Sequence, residues 1–554
     1  MAGGDQTSRP ETEAPRAAAA SAAAEMSSLQ EEYFSFLARE FPNFCLSDEF
    51  IFFPRLSGAA ANWFRLPELS AASLEAASAR LAGLLARLDR LGPWPRPSTA
   101  DEDATLLRQS LLSVRRELGP QGPWRRDPFF YLKAASLAWA PVLARTPLID
   151  WGDRDKIAEL LRRCSRLFSR ARQQVQELGP AAALLAPRAF ADARRFFTAA
   201  VPDFLAAHFP RGPFASLSEE VAQKLRLFED RVASLPAAAS APRSEEVLAD
   251  ILTSSWGWGL GLDAAQRILQ AEVEESRANL TKLAQRIRPG LSWPAALAEA
   301  EPRPGPVDVL DLYRRELERL WDFWGASPVL PPLSGRVVVA ETPLYLRSLR
   351  TSASYAAPWG APEEHPGYFY VTPEIEDPDY HLNHHRFLSA HETVPGHHLL
   401  DAARLNLASP LRRQYESPLF YEGWACYAEV LAVSEGYLAE PRELLVGWQR
   451  RLWRALRGLA DLDYRRGRLD LEEGLNLLRQ AHYPEAATRL QMLHLALTPG
   501  YQLCYTLGLR EVLSLRERFG AALGRARFHK VLLSGGQLPF DRVAWRLEEA
   551  CRFL

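Results

Sequence analysis

Cysteine is scarce in this chain. Five cysteines (Cys45, Cys164, Cys426, Cys504 and Cys551) are spread over 554 residues with no Cys-x-x-Cys pair. That excludes a thiolate zinc site of the finger type and fits a reducing, cytoplasmic compartment. Charge of one sign is also missing. Lys+Arg 66 against Asp+Glu 68 leaves a net charge of -2, without the basic footprint of a nucleic-acid binder. A long apolar run is missing too. The longest stretch without Asp, Glu, Lys or Arg, Leu490 to Leu509, has the length of a membrane span. It carries Gln491, His494 and Gln502 and is broken by Pro499-Gly500, which predicts a buried helix, a turn and a second helix. The segment Ala17 to Ala24 lacks the cationic lead of a secretory signal, because Asp5, Arg9, Glu11, Glu13 and Arg16 sum to -1. Residues 1–26 are expected to form a disordered tail, with Met26 a candidate true start. No membrane and no nucleic acid are expected as partners, and the sequence carries no signal of oligomeric state.

What is present is ordinary for a globular chain, 47% hydrophobic and 24% charged residues, enough to bury a core and exclude bulk disorder. Apolar residues recur at three- and four-residue spacing in Leu74 to Leu91, Ala158 to Leu178 and Val221 to Leu235, predicting helices. Strand signals are few: Gly335 to Glu341 (GRVVVAE) and Gly367 to Thr372 (GYFYVT). The fold class expected is mainly α, with a few short strands. A soft boundary near Pro302 to Pro306 separates a helical region, 27–301, from a C-terminal helical region, 302–554. The second holds ten of the eleven histidines, so the chemistry is expected there. The arginines of the N-terminal half (Arg162, Arg163, Arg166, Arg170, Arg172) read as a solvated helix face.

Six histidines fall between His381 and His398, in HLNHHRFLSAHETVPGHH. Neutral imidazole is the commonest protein metal ligand. The order His391-Glu392-x-x-Pro395-Gly396-His397-His398 is a stretched H-E-x-x-H, a motif in which two histidines hold zinc and the glutamate serves as general base. The stretch has a physical consequence. In an unbroken helix His391 and His397 would stand about 9 Å apart along the axis and about 120° apart around it, too far for both to bind one ion. Pro395 cannot donate to the carbonyl of residue 391 and collides with it. The helix is therefore expected to kink or bulge after Glu392, bringing His397 back toward His391. His398 competes with His397 as ligand, and His381, His384 and His385 are expected near the mouth of the site or behind it.

A third ligand is expected from YEGWACYAE, Tyr421 to Glu429. Glu422 and Glu429, seven apart, share one helical face. One of them can bind the metal while the other accepts the outer N–H of a ligating histidine. Two carboxylates on an otherwise apolar helix need such a reason, since burying them unpaired is costly.

H-E-x-x-P-G-H followed by E-G-W-A-x-x-x-E resembles the hallmark of a bacterial family known as domain of unknown function 885, grouped with the zincin-like metallopeptidases. The resemblance implies a helical, gluzincin-type body around one Zn2+. E-G-W-A also resembles the E-G-F-A of zinc aminopeptidases, whose glutamate is a ligand, which favours Glu422 over Glu429. The implied ligands are thus His391, His397 and Glu422, with Glu392 the general base and acid. The stretch from Pro499 to Gly508 resembles a late P-G-Q-A-x-x-Y-x-x-G element. Tyr501 replaces its usual glutamine, whereas Tyr505 and Gly508 match. Tyr464 stands where many members carry histidine. Tyr505 is a candidate donor to a developing oxyanion. The expected function is a zinc-dependent hydrolase, a peptidase acting on a peptide or small amide. Its competitors are hydrolysis of a non-peptide amide or ester, and a non-catalytic helical protein whose metal is structural.

Overall fold

A computed structural model describes residues 13–120, 122–143, 154–209, 213–236, 244–299, 307–344, 346–347, 353–358, 365–373 and 378–554. The Pro302 to Pro306 boundary and the first twelve residues lie outside them. From Glu13 onward the expected tail is helical, because helix α1 spans Glu13–Glu40 and packs Leu29, Tyr33 and Leu37 into the core. The periodic segments fold as read: α2 (Ala71–Leu91), α4 (Arg154–Gln174) and α5 (Phe214–Ala233), with α3 (Thr99–Leu118) between the first two. The starts of α2 and α3 follow from capping chemistry. Ser70 accepts from the backbone N–H of Ser73, and Ser98 accepts from that of Asp101.

One continuous apolar core runs from Leu29 to Leu547, so both halves of the chain share it. Its C-terminal part is a stack of long helices. α11 (Pro441–Arg465) packs between α6 (Gly261–Ile287) and α13 (Tyr501–Leu523), and α10 (Pro418–Ser434) lies along α13. The close approach of α10 and α13 has a local cause: a Cβ on Gly423 would come within 2.6 Å of Gly508, and one on Gly508 within 2.1 Å of the Leu419 carbonyl. The glycines of E-G-W-A and of the late motif are thus partners across one helix crossing.

A three-stranded sheet flanks this stack in the order β1 (Val337–Glu341), β3 (Gly367–Val371), β2 (Ala353–Ala356). β1 runs parallel to β3 with Val339 opposite Phe369, and β2 runs antiparallel with Tyr355 opposite Phe369. β1 and β3 are the two strands legible in the sequence. β2 (ASYA) is too short and too weakly β-branched to read. A small second core under the sheet (Tyr313, Val339, Phe369, Leu388) joins it to α7 (Val309–Gly325) and α8 (Pro378–Glu392). The uncharged stretch folds as helix, turn and helix: α12 (Glu485–Leu497), a turn with Gly500 at φ 80°, then α13. Among the described residues no helix is long and apolar enough to cross a membrane.

Candidate metal centre

The centre is made where one helix stops and another begins. α8 ends at Glu392, and α9 (His397–Leu405) starts after a turn through Pro395 and Gly396. This is a full break rather than the expected kink or bulge within one helix. Pro395 has no N–H for the His391 carbonyl, and Gly396 presses so close to that carbonyl that a Cβ there would stand 1.8 Å from it. The Val394–Pro395 peptide is cis. The turn is pinned from inside by the His398 N–H, which donates to the Thr393 carbonyl at 3.1 Å. From outside, Trp424 on α10 donates its indole N–H to the carbonyls of Pro395 (2.9 Å) and Gly396 (3.1 Å). The tryptophan of E-G-W-A thereby holds the proline-glycine turn.

The break swings His397 beside His391, with ring centroids 4.8 Å apart. Glu422 reaches in from α10, its Oε2 3.4 Å from His391 Nε2 and 3.7 Å from His397 Nε2. One ligand atom from each of these three buried side chains falls within 4.8 Å of the others. Glu422 Oε2 is buried with no hydrogen-bond partner. An orphaned carboxylate oxygen facing two imidazoles is a poor structural element and a suitable zinc donor set, two nitrogens and an oxygen.

Glu429 takes the second role foreseen for the acidic pair. Its Oε1 lies 3.0 Å from His391 Nδ1, so it accepts that N–H and turns Nε2 toward Glu422. Arg450 and Arg454 of α11 clamp Glu429 in turn, donating at 2.9 Å and 2.6 Å to its Oε1. Tyr501, at the start of α13, donates its hydroxyl to Glu422 Oε1 at 2.5 Å. Glu392 is fixed by β2, where the Tyr355 backbone N–H donates to its Oε2 at 2.8 Å.

The electrostatics follow from these contacts. Burial by itself would raise Glu422, yet His391 and His397 beside it and the Tyr501 hydroxyl bring it down to about 2. Burial likewise opposes ionisation of Glu429, and Arg450 and Arg454 overcome it, holding the group well below the usual carboxylate range. His391 is buried too, but the Glu422 and Glu429 carboxylates beside it raise it. Burial pushes His397 down to about 3, so its ring stays neutral. An ionised Glu422 and a neutral His397 are the forms in which these two groups can bind a metal ion.

Three expectations need correction. His398 is no ligand, because its Nδ1 accepts from the Tyr355 hydroxyl (3.0 Å) and its Nε2 donates to the Ser334 carbonyl (3.0 Å). His385 does not stand behind a ligand or at the mouth: its Nδ1 donates to the Leu382 carbonyl (3.0 Å), and its Nε2 faces Glu316 of α7 at 3.9 Å. His381 and His384 are packing residues, the first against Tyr313 and the second between Tyr380 and Tyr483.

Beside these three side chains opens a cavity of about 1090 Å³ between the two halves of the chain. Glu392, Tyr501 and Tyr505 line it from the C-terminal side, and Phe50, Arg116 and Lys133 line it from the N-terminal side. Tyr505 sits in this wall with the Arg457 guanidinium 4.6 Å from its ring centroid. Sequence reading missed Tyr501, Trp424 and the arginine face of α11. A signal existed for the last: Arg450, Arg454 and Arg457 recur at helical spacing among leucines.

Two solved structures share this architecture. One is described as "the putative lipoprotein from Colwellia psychrerythraea", with TM-score 0.73 and 18% identity over 96% of this chain and 99% of that one. The other, "a putative lipoprotein of unknown function from Shewanella oneidensis", has TM-score 0.72 and 17% identity over 94% and 99%. Identities this low speak for the fold alone. A search of curated proteins found no match. The model of the family described as "Bacterial protein of unknown function (DUF885)" matches residues 58–547, and the chain belongs to that family.

Proposed function

We propose that this protein is a zinc-dependent hydrolase with a zincin-like, gluzincin-type centre, and that it cleaves peptide bonds. The observation that carries the reading is the convergence of His391, His397 and Glu422 beside Glu392 at the wall of a large cavity. Zinc held by these three side chains would supply a Lewis acid that polarises a carbonyl and acidifies water at neutral pH. Glu392 accepts the proton of the attacking water and returns it to the departing nitrogen. The balance is that of hydrolysis: the C–N bond breaks, the hydroxyl goes to the acyl carbon and the proton to the amine. Glu429, through His391, fixes which imidazole nitrogen faces the ion. Tyr505, in the cavity wall, would donate to the developing oxyanion.

The engagement of His398 and Glu429 elsewhere supports a catalytic over a structural site, since a structural zinc is closed by four protein ligands. A base next to a ligand would be idle there. The test is metal content and turnover together: one equivalent of zinc per chain, hydrolysis of short peptides, and loss of hydrolysis on chelation with recovery on zinc return. A panel of acyl amides and esters run beside the peptides separates the peptide reading from the non-peptide one. For location, five unpaired cysteines favour the cytoplasm, whereas the descriptions of the two solved structures favour attachment by lipid. Cell fractionation decides between them.

A further inference from the structure

Among the described residues Arg457 forms no ion pair with a carboxylate. On α11 it follows Arg450 and Arg454 by seven and three residues, but those two pair with Glu429. Among the described residues its hydrogen bond runs from Nη1 to Gln491 Oε1 at 3.0 Å. Its Nε is buried with no partner. The residue is only 9% exposed and lines the cavity that holds the metal ligands. Trp453 and Tyr505 frame the guanidinium, their ring centroids 5.5 Å and 4.6 Å from its carbon. Burying an unpaired charge is costly, and burial does lower the basicity of this guanidinium. A protein keeps such a group where a ligand brings the missing anion.

The place of Arg457 relative to the ligands sets what that anion is. Arg454, one turn earlier, touches the His391 ring, with Nη2 3.3 Å from Nδ1. Three residues of helix advance the chain by about 4.5 Å, and one extended peptide residue spans about 3.5 Å. A carboxylate held by Arg457 therefore lies one or two residues from a bond placed at the centre. A planar guanidinium with free donors suits bidentate capture of a carboxylate. The terminal carboxylate of a peptide always lies on the amine side of the bond being cut.

We infer that Arg457 receives the free carboxylate of the substrate, which makes the protein an enzyme of short peptides or of carboxyl ends. This rests on the hydrolase reading for its chemistry, but the carboxylate pocket is testable without turnover. The ligand chemistry is a carboxylate, from a peptide terminus or from an acidic side chain, and the arms of the test separate these.

The experiment is calorimetric titration of the full-length, zinc-loaded Glu392→Gln protein, which does not consume its ligand. The probes are an apolar tripeptide as free acid, the same peptide as C-terminal amide, and an amide ending in glutamate. The free acid is expected to bind about tenfold or more tightly than the plain amide. That gap should close in an Arg457→Met background and survive in part with Arg457→Lys. Equal affinity for acid and amide before any change at Arg457 overturns the inference, whatever that variant does to folding. So does a gap that persists in a folded Arg457→Met protein. If the glutamate amide matches the free acid, the carboxylate is a side chain's and the carboxyl-end assignment falls. An acid preference without wild-type turnover keeps the pocket and refutes the hydrolase; turnover without an acid preference does the reverse.

Discussion

Two stretches of the same histidine-rich segment meet opposite fates. His381, His384 and His385 lie within α8 and are absorbed by packing, against Tyr313, Tyr483 and Glu316. His391 and His397 flank the helix break and converge on Glu422. Residue type is identical and burial is similar, since all five are at most 9% exposed. The difference lies in the backbone. His381 and His385, four apart, share one helix face, but the Tyr313 hydroxyl and the Leu382 carbonyl take their Nδ1 atoms. His391 and His397, six apart, face one point because the proline-glycine turn breaks the helix between them.

The sharpest way to break this comparison is to exchange the roles by mutation. Glu422→Ala should empty the protein of zinc, as read by metal analysis of purified protein, whereas His385→Ala should keep a full equivalent. Loss of zinc from the His385 variant would place the site wrongly. Next in size, Glu392→Gln should retain zinc and lose about 10²–10⁴-fold in peptide turnover; unchanged turnover removes Glu392 from the mechanism. Glu429→Gln should weaken zinc by about 10–100-fold, because the His391 ring exchanges a charged orienting acceptor for a neutral amide. It should also destabilise the fold, leaving Arg450 and Arg454 uncompensated. Competition with a chelating dye reads the first effect, and urea unfolding reads the second.

Acidification sharpens the contrast in another way. Burial pushes His381 down to about 4, so the folded protein keeps it neutral while the unfolded chain protonates it near its ordinary value. The stability owed to its neutrality is complete above that ordinary value, about 6.5, and is lost as pH falls from there toward 4. The slope is at most about 1.4 kcal/mol per pH unit. His381→Asn should flatten the dependence of melting temperature on pH in that window, whereas zinc-loaded His391 should instead show up as pH-dependent metal release. The smallest effect is expected from Tyr501→Phe, which removes one hydrogen bond to Glu422 and should cost about two- to tenfold in zinc affinity. Tyr501→Gln, which keeps a hydrogen-bond donor toward Glu422, should cost less.

The sequence alone was enough to point to His391, His397 and Glu422 as one cluster and to the predominance of helix. Metal chemistry depends on residue types at fixed intervals, and Pro395 and Gly396 announce a break through properties carried by single residues. The helical repeats and two of three strands were legible for the same local reason. Long-range packing decided the rest. Trp424 reaches across to lock a turn twenty-nine residues earlier, and Gly423 meets Gly508 at a helix crossing. Tyr501 comes onto Glu422 from seventy-nine residues away. The resemblance favoured Glu422 over Glu429, and partners from β2 and α11 occupy the polar atoms of His398 and Glu429. A side chain's chemistry is written in its identity, but its partner is set by where distant helices leave a buried charge or hydrogen bond unmet.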